Sequence, residues 1–105
     1  MNPSRNRQRG KETERAVAKK LGGKRIGILG SEDVQHNLYS IEVKSRKSFV
    51  ADNWMNQCKK NNKENKIPLV VVHKTGRDHE NDLVIISLKD FMNLNTTLQL
   101  SNSVS

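Results

Sequence analysis

Two dense apolar runs set the first constraint on this chain: Ile67 to His73 (IPLVVVH) and Leu83 to Leu88 (LVIISL), parted by the polar stretch TGRDHEN. Short runs rich in Val and Ile, bounded by turn residues, read as strands buried on both faces. They fall far short of the ~18–20 residues a membrane helix requires. A chain whose most apolar stretches are strands must build a sheet and then cover it. The covering material is scarce. The 105 residues are 33% hydrophobic and 4% aromatic, so the expected core is small, aliphatic and confined to one domain of modest stability.

The rest of the chain supplies the cover. Residues 1–9 interleave Arg5, Arg7 and Arg9 with polar side chains and read as a flexible basic arm. A helix is expected from Gly10 or Lys11 to Leu21, with Ala16, Val17, Ala18 and Leu21 as its apolar stripe and Gly22-Gly23 as its stop. Lys24 to Leu29 reads as a short strand, followed by the turn Gly30-Ser31-Glu32-Asp33. Leu38 to Arg46 (LYSIEVKSR) alternates, with Tyr39, Ile41 and Val43 on one face and Ser40, Glu42 and Lys44 on the other. Phe49 to about Asn62 reads as a second helix, capped by Asp52, with Val50, Trp54 and Cys58 along one face. A last short helix follows over Lys89 to Leu94, and the segment from Asn95 onward reads as a polar, frayed tail. The expected organisation is an arm over 1–9, one domain over 10–94 and a tail over 95–105. Its fold class is α/β, a central mixed β-sheet flanked by helices.

The formal net charge is +8, and it is unevenly spread. Residues 1–25 hold nine basic and two acidic side chains, residues 41–66 hold seven and three, and between them residues 26–40 carry only Glu32 and Asp33. A basic excess of this size points to a polyanionic partner, most simply nucleic acid. Acidic residues between two basic blocks would repel such a partner, so they are either a solvated turn or have another purpose. The single Cys58 forms no internal disulfide, and MNPSRNRQRG lacks a hydrophobic leader; both fit a reducing cytoplasm.

Asp33 precedes Glu42-Val43-Lys44 by nine residues. A hairpin from the turn at 33 brings its carboxylate beside Glu42, and two such groups repel unless a cation lies between them. Carboxylate oxygens completed by water and substrate phosphate suit Mg²⁺, with Mn²⁺ as a substitute. A lysine alongside can orient the attacking water and offset charge on a phosphate. The same residues also read as an exposed strand face carrying an ordinary Glu–Lys pair.

With Gly10-Lys11-Glu12-Thr13-Glu14-Arg15 opening the first helix, Asp33 after the first strand, and Glu42-Val43-Lys44-Ser45-Arg46-Lys47, the chain resembles the PD-(D/E)xK nuclease superfamily, in particular its small Holliday-junction-resolvase-like branch of archaeal and phage type. The resemblance spans about residues 10–90 in element order and is specific at those three stretches. It implies a restriction-endonuclease-like fold and a metal-dependent endonuclease acting on branched DNA, in a prokaryote or a phage-infected host. It implies Asp33, Glu42 and Val43 as metal ligands, Lys44 as the catalytic lysine, Glu14 as the helix glutamate, and Ser31 and Gln57 as supporting residues. Departures from the pattern leave Glu12 as a competitor of Glu14, about 200° away around the helix, and Glu32, which stands where the family has proline, as a substitute for Asp33.

DNA contacts are expected from Arg5, Arg7, Arg9, Lys11, Arg15, Arg46 and Lys47. Since one site cuts one strand at a time, a homodimer is expected, with Trp54, Met55, Val70 to Val72 and Ile85 to Ile86 as interface candidates. The alternatives are a nicking or duplex endonuclease, a non-catalytic nucleic-acid-binding module on the same fold, and a basic RNA-binding or scaffold protein. His73 ends a strand and Asp78-His79-Glu80 lie in a turn, and the four lack recognisable metal-ligand spacing.

Overall fold

The computed structural model describes the backbone of residues 3–27 and 32–104, and the side chains of residues 9–27 and 32–96. The chain is mixed α/β, with three helices, a three-stranded sheet and a two-stranded sheet among the described residues. The expectation of one central mixed sheet is therefore corrected. Every strand pair is antiparallel and forms between neighbours in sequence, the pairing that short connections permit. The chain divides into two compact units, Met1–Lys47 and Ser48–Ser105.

The first unit opens with α1 (Pro3–Leu21), so backbone expected as a loose arm is helical from residue 3. Gly10, Thr13, Glu14, Val17, Ala18 and Leu21 recur at helical spacing and are the less exposed positions, with Ala18 buried. Two glycines end the helix. Gly22 takes φ 75°, and the Gly23 N–H donates to the Ala18 carbonyl at 2.8 Å, the six-to-one bond of a Schellman cap. A Cβ on Gly23 would lie 2.5 Å from the Gln35 carbonyl oxygen and 2.8 Å from Val34 Cγ1, so close packing here demands glycine. Strands β1 (Lys24–Arg25), β2 (Val34–Gln35) and β3 (Ser40–Ile41) follow. Val34, on the central strand, is fully buried and anchors the core of this unit, a burial that contributes about 2 kcal/mol.

These strands are much shorter than the expected Lys24 to Leu29 and Leu38 to Arg46. Alternation nevertheless persists beyond the ladder: Tyr39, Ile41 and Val43 are half-buried while Ser40, Glu42 and Lys44 are exposed.

In the second unit, α2 (Val50–Asn61) has Phe49 at its N-cap without a side-chain cap. The expected Asp52 cap is corrected: Asp52 lies inside the first turn, where its charge complements the helix dipole and its N–H donates to the Phe49 carbonyl at 3.1 Å. The inner face runs through Ala51, Met55, Cys58 and Asn62, with Met55 buried. Trp54 and Val50 stay exposed, one position off that stripe. Beyond the helix, Asn62 clamps the loop, its Nδ2 donating to the Lys66 carbonyl at 2.6 Å and its Oδ1 accepting from the Lys66 N–H at 3.0 Å.

Strands β4 (Val70–Val72) and β5 (Leu83–Ile85) form a two-stranded ribbon paired Val70↔Ile85, Val71↔Val84 and Val72↔Leu83. They are not buried on both faces as expected, for Val71, Leu83 and Val84 are more than half exposed. Helix α3 (Leu88–Val104) extends far past the expected short helix and takes in the backbone expected as a tail. Its start is set by Ser87, whose Oγ accepts the Asp90 N–H at 3.1 Å. No helix among the described residues is long and apolar enough to cross a membrane.

Candidate active site

Asp33 is the junction of the first unit. Its N–H donates to the Ile41 carbonyl at 3.0 Å and its carbonyl accepts the Ile26 N–H at 3.1 Å, so its backbone ties the ends of β1 and β3 together. Its side chain adds one more rung, Oδ2 accepting the Val43 N–H at 2.6 Å. The carboxylate therefore takes the place of a neighbouring strand's carbonyl, and the ladder stops there. The β2–β3 register pairs Val34 with Ile41 and Gln35 with Ser40; one step further, Asp33 stands opposite Glu42.

The two carboxyls hydrogen-bond to each other, and their acidities diverge. The Val43 N–H, above all, holds Asp33 below the ordinary carboxylate range, helped by Glu42 and by the charges of Lys44 and Arg25. Glu42 is pushed up, first by the hydrogen bond to Asp33 and then by its negative charge. Lys44 Nζ lies 3.8 Å from Glu42 Oε2 with both groups well exposed, a weak pairing that leaves the ammonium accessible to a ligand.

Glu14 reaches the same region from α1, because the helix stripe that faces the sheet includes it. Arg25 Nε donates to Glu14 Oε2 at 2.6 Å, in a pair that is about four-fifths buried. Arg25 is the residue the sequence reading missed. Its only signal was position: a basic side chain at the buried phase of a strand needs an acidic partner, and Glu14 provides it. Glu12 is exposed on α1. Glu14, Asp33, Val43 and Lys44 line one open concavity of about 800 Å³. Its remaining wall is Arg9, Gly10, Ser45, Arg46 and Lys47. The acidic floor is thus rimmed by cations.

The structure gathers Glu14, Asp33, Glu42, Val43 and Lys44, together with Arg9, Arg46 and Lys47 of the expected DNA-contacting set. Lys11 and Arg15 are exposed on α1. Glu32 is half-buried beside Asp33 and does not line the concavity. The side chains of Arg5 and Arg7, and all of Ser31, lie outside the described residues. Gln57 is an exposed residue of α2, in the second unit.

The second unit contains another polar convergence. Asp82 receives both His73 and His79, although the sequence reading had grouped those histidines with Asp78 and Glu80. Neither protein-family models, nor curated proteins, nor solved structures offer a match to this chain.

Proposed function

We propose that the first unit is the catalytic centre of a Mg²⁺-dependent endonuclease that hydrolyses phosphodiester bonds of DNA, with branched DNA as its preferred substrate. The observation that carries this reading is the Asp33–Glu42 pair. A half-buried Asp33 carboxyl and an exposed Glu42 carboxyl are set opposite each other by strand register, their acidities driven apart, beside the weakly paired ammonium of Lys44 and beneath a basic rim. A surface used only to bind polyanions gains nothing from that arrangement, since each carboxylate weakens its grip on phosphate.

The donor set fits the ion. Asp33 and Glu42 offer hard oxygen atoms, and the Val43 carbonyl belongs to the same segment, which suits Mg²⁺ or Mn²⁺ with water and substrate phosphate completing the shell. A bound Mg²⁺ would polarise the scissile phosphate and lower the pKa of a coordinated water. Asp33 is already predisposed to the charged state by its bond to Val43. Glu42 would join Asp33 in holding the ion. Lys44 aligns the attacking water and offsets the charge that grows on the phosphate oxygens. Glu14 acts through Arg25, fixing a cation whose charge bears on Asp33. Arg9, Arg46 and Lys47 seat the flanking phosphates without reading bases.

Four-way junction, fork, linear duplex and single strand, each incubated with and without Mg²⁺, test the reading. Metal-dependent cleavage with the junction cut fastest is expected. A purified, folded protein that cuts none of the four with either Mg²⁺ or Mn²⁺ overturns it. Resolution of a junction needs two sites facing opposite strands, so the same reading entails a homodimer. Light scattering that shows a 12 kDa species with and without junction DNA would reduce the proposal to a nicking monomer.

A further inference from the structure

The ribbon of the second unit ends in a cluster unlike the first. Continuing the β4–β5 register one step past Val72↔Leu83 sets His73 opposite Asp82. The turn between them folds back through Gly76, at φ 86°, and a single 3₁₀ turn over His79–Asn81, which returns His79 to the same point. His73 Nδ1 lies 2.6 Å from Asp82 Oδ1, and His79 Nδ1 lies 3.1 Å from Asp82 Oδ2. The two rings are 4.3 Å apart, inclined by 31°. One donor atom from each of the three residues falls within 4.8 Å of the others. Asp82 is 11% exposed while His79 is 84% exposed, so the cluster has a sheltered base and an open side.

We propose that His73, His79 and Asp82 form a second metal site, specific for a transition-metal ion of the Zn²⁺ type. Two imidazoles and one carboxylate are a donor set for such ions, which take three protein ligands and leave a further position to water. Tetrahedral Zn²⁺ with bonds of about 2.0–2.1 Å sets its donors roughly 3.3 Å apart, so three donors already within 4.8 Å need to draw together, which ring rotations can supply. The same donors disfavour Mg²⁺, which requires oxygen. The ligands come from a strand end, a 3₁₀ turn and a strand start. A bound ion would therefore cross-link the two ends of the ribbon with the turn between them. Among the described side chains of this unit only Met55 is buried, and a small unit with so thin a core gains stability from a metal tie.

The test titrates Zn²⁺ into the full chain by calorimetry, using Co²⁺ absorption as a second probe. One Zn²⁺ per chain is expected, and it should persist in the Asp33→Asn/Glu42→Gln double variant, which separates this site from the first. His73→Gln and the surface change His79→Gln should each weaken binding by roughly tenfold or more. X-ray absorption of the Zn²⁺-loaded wild-type chain should show scattering from two imidazoles, a readout that needs no variant to fold. Unchanged affinity in both histidine variants overturns the proposal. So does loss of the ion in the Asp33→Asn/Glu42→Gln variant, an oxygen-only coordination sphere, or a wild-type chain that takes up no Zn²⁺ at micromolar concentration.

Discussion

The two units solve the same problem at the end of an antiparallel ladder, with different partners. In each, an aspartate sits one step beyond the last strand pair and faces a residue nine positions away: Asp33 faces Glu42, and Asp82 faces His73. In the first unit the opposing group is another carboxyl, whose acidity Asp33 weakens, and an oxygen-only pair suits a hard cation. In the second the opposing groups are imidazoles, which satisfy the carboxylate directly and suit a softer ion. Ladder geometry thus fixes where the two groups meet, and side-chain chemistry alone decides what they can hold.

The sharpest way to break this comparison is to remove the chemistry and keep the geometry. If the first unit is the nuclease centre proposed above, Lys44→Ala and Glu42→Gln should each lower the cleavage rate by ~10²-fold or more, by removing stabilisation of the transition state. DNA affinity should stay near wild type, or rise for Glu42→Gln, which deletes a negative charge. A Lys44→Ala protein that cuts at the normal rate in single-turnover assays would remove that residue from the mechanism.

Packing provides the next largest effect. Gly23→Ala drives a methyl group against the Gln35 carbonyl and Val34, so the first unit should lose about 1–3 kcal/mol, read as a lower midpoint in denaturant titration. Cleavage should fall with it, since Asp33 precedes Val34 on the displaced strand. The second unit offers a milder counterpart. Ser87→Ala removes the acceptor of the Asp90 N–H and should cost about 1 kcal/mol, with cleavage unchanged wherever the chain remains folded. A cleavage defect at temperatures where circular dichroism shows full folding would contradict that division.

The smallest effect is electrostatic and sharpens the role of the basic rim. Arg46→Ala and Lys47→Ala should each reduce the slope of log affinity against log salt by up to about 0.9, without altering the preference among DNA sequences. An unchanged slope in the double variant would mean that these cations do not touch phosphate.

Which side chains meet was easier to read from the sequence than the extent of the sheet. Asp33, Glu42 and Lys44 were legible because a hairpin spacing and strand alternation fix which residues face one another, whereas Glu14 came only from the motif and not from helix phase. Strand length was not legible. LYSIEVKSR has strand-like alternation over nine residues, yet pairing ends at Ile41, since β2 offers only two partners and the Asp33 side chain takes the next rung. The stripe Val50, Trp54, Cys58 looked apolar enough to face inward. The helix instead turns Ala51, Met55, Cys58 and Asn62 inward, leaving Trp54 exposed. Similarly, continuous apolar runs suggested strands covered on both sides, whereas a two-stranded ribbon leaves Val71 and Val84 in solvent. Arg25 and Asp82 were hidden because each has meaning only through a partner distant in sequence, Glu14 and His73 respectively.

The bond from Val43 N–H to the Asp33 carboxylate has a further consequence for which substitutions this chain can tolerate. Asparagine at 33 keeps an acceptor oxygen at the same reach, so it can silence the chemistry while the segment holding Glu42 and Lys44 stays in place. Alanine removes the acceptor and frees that segment, and glutamate overshoots by one methylene. Under the proposed reading, position 33 therefore answers to two separate requirements, one for charge and one for side-chain length. A variant with asparagine there would give up the first and keep the second.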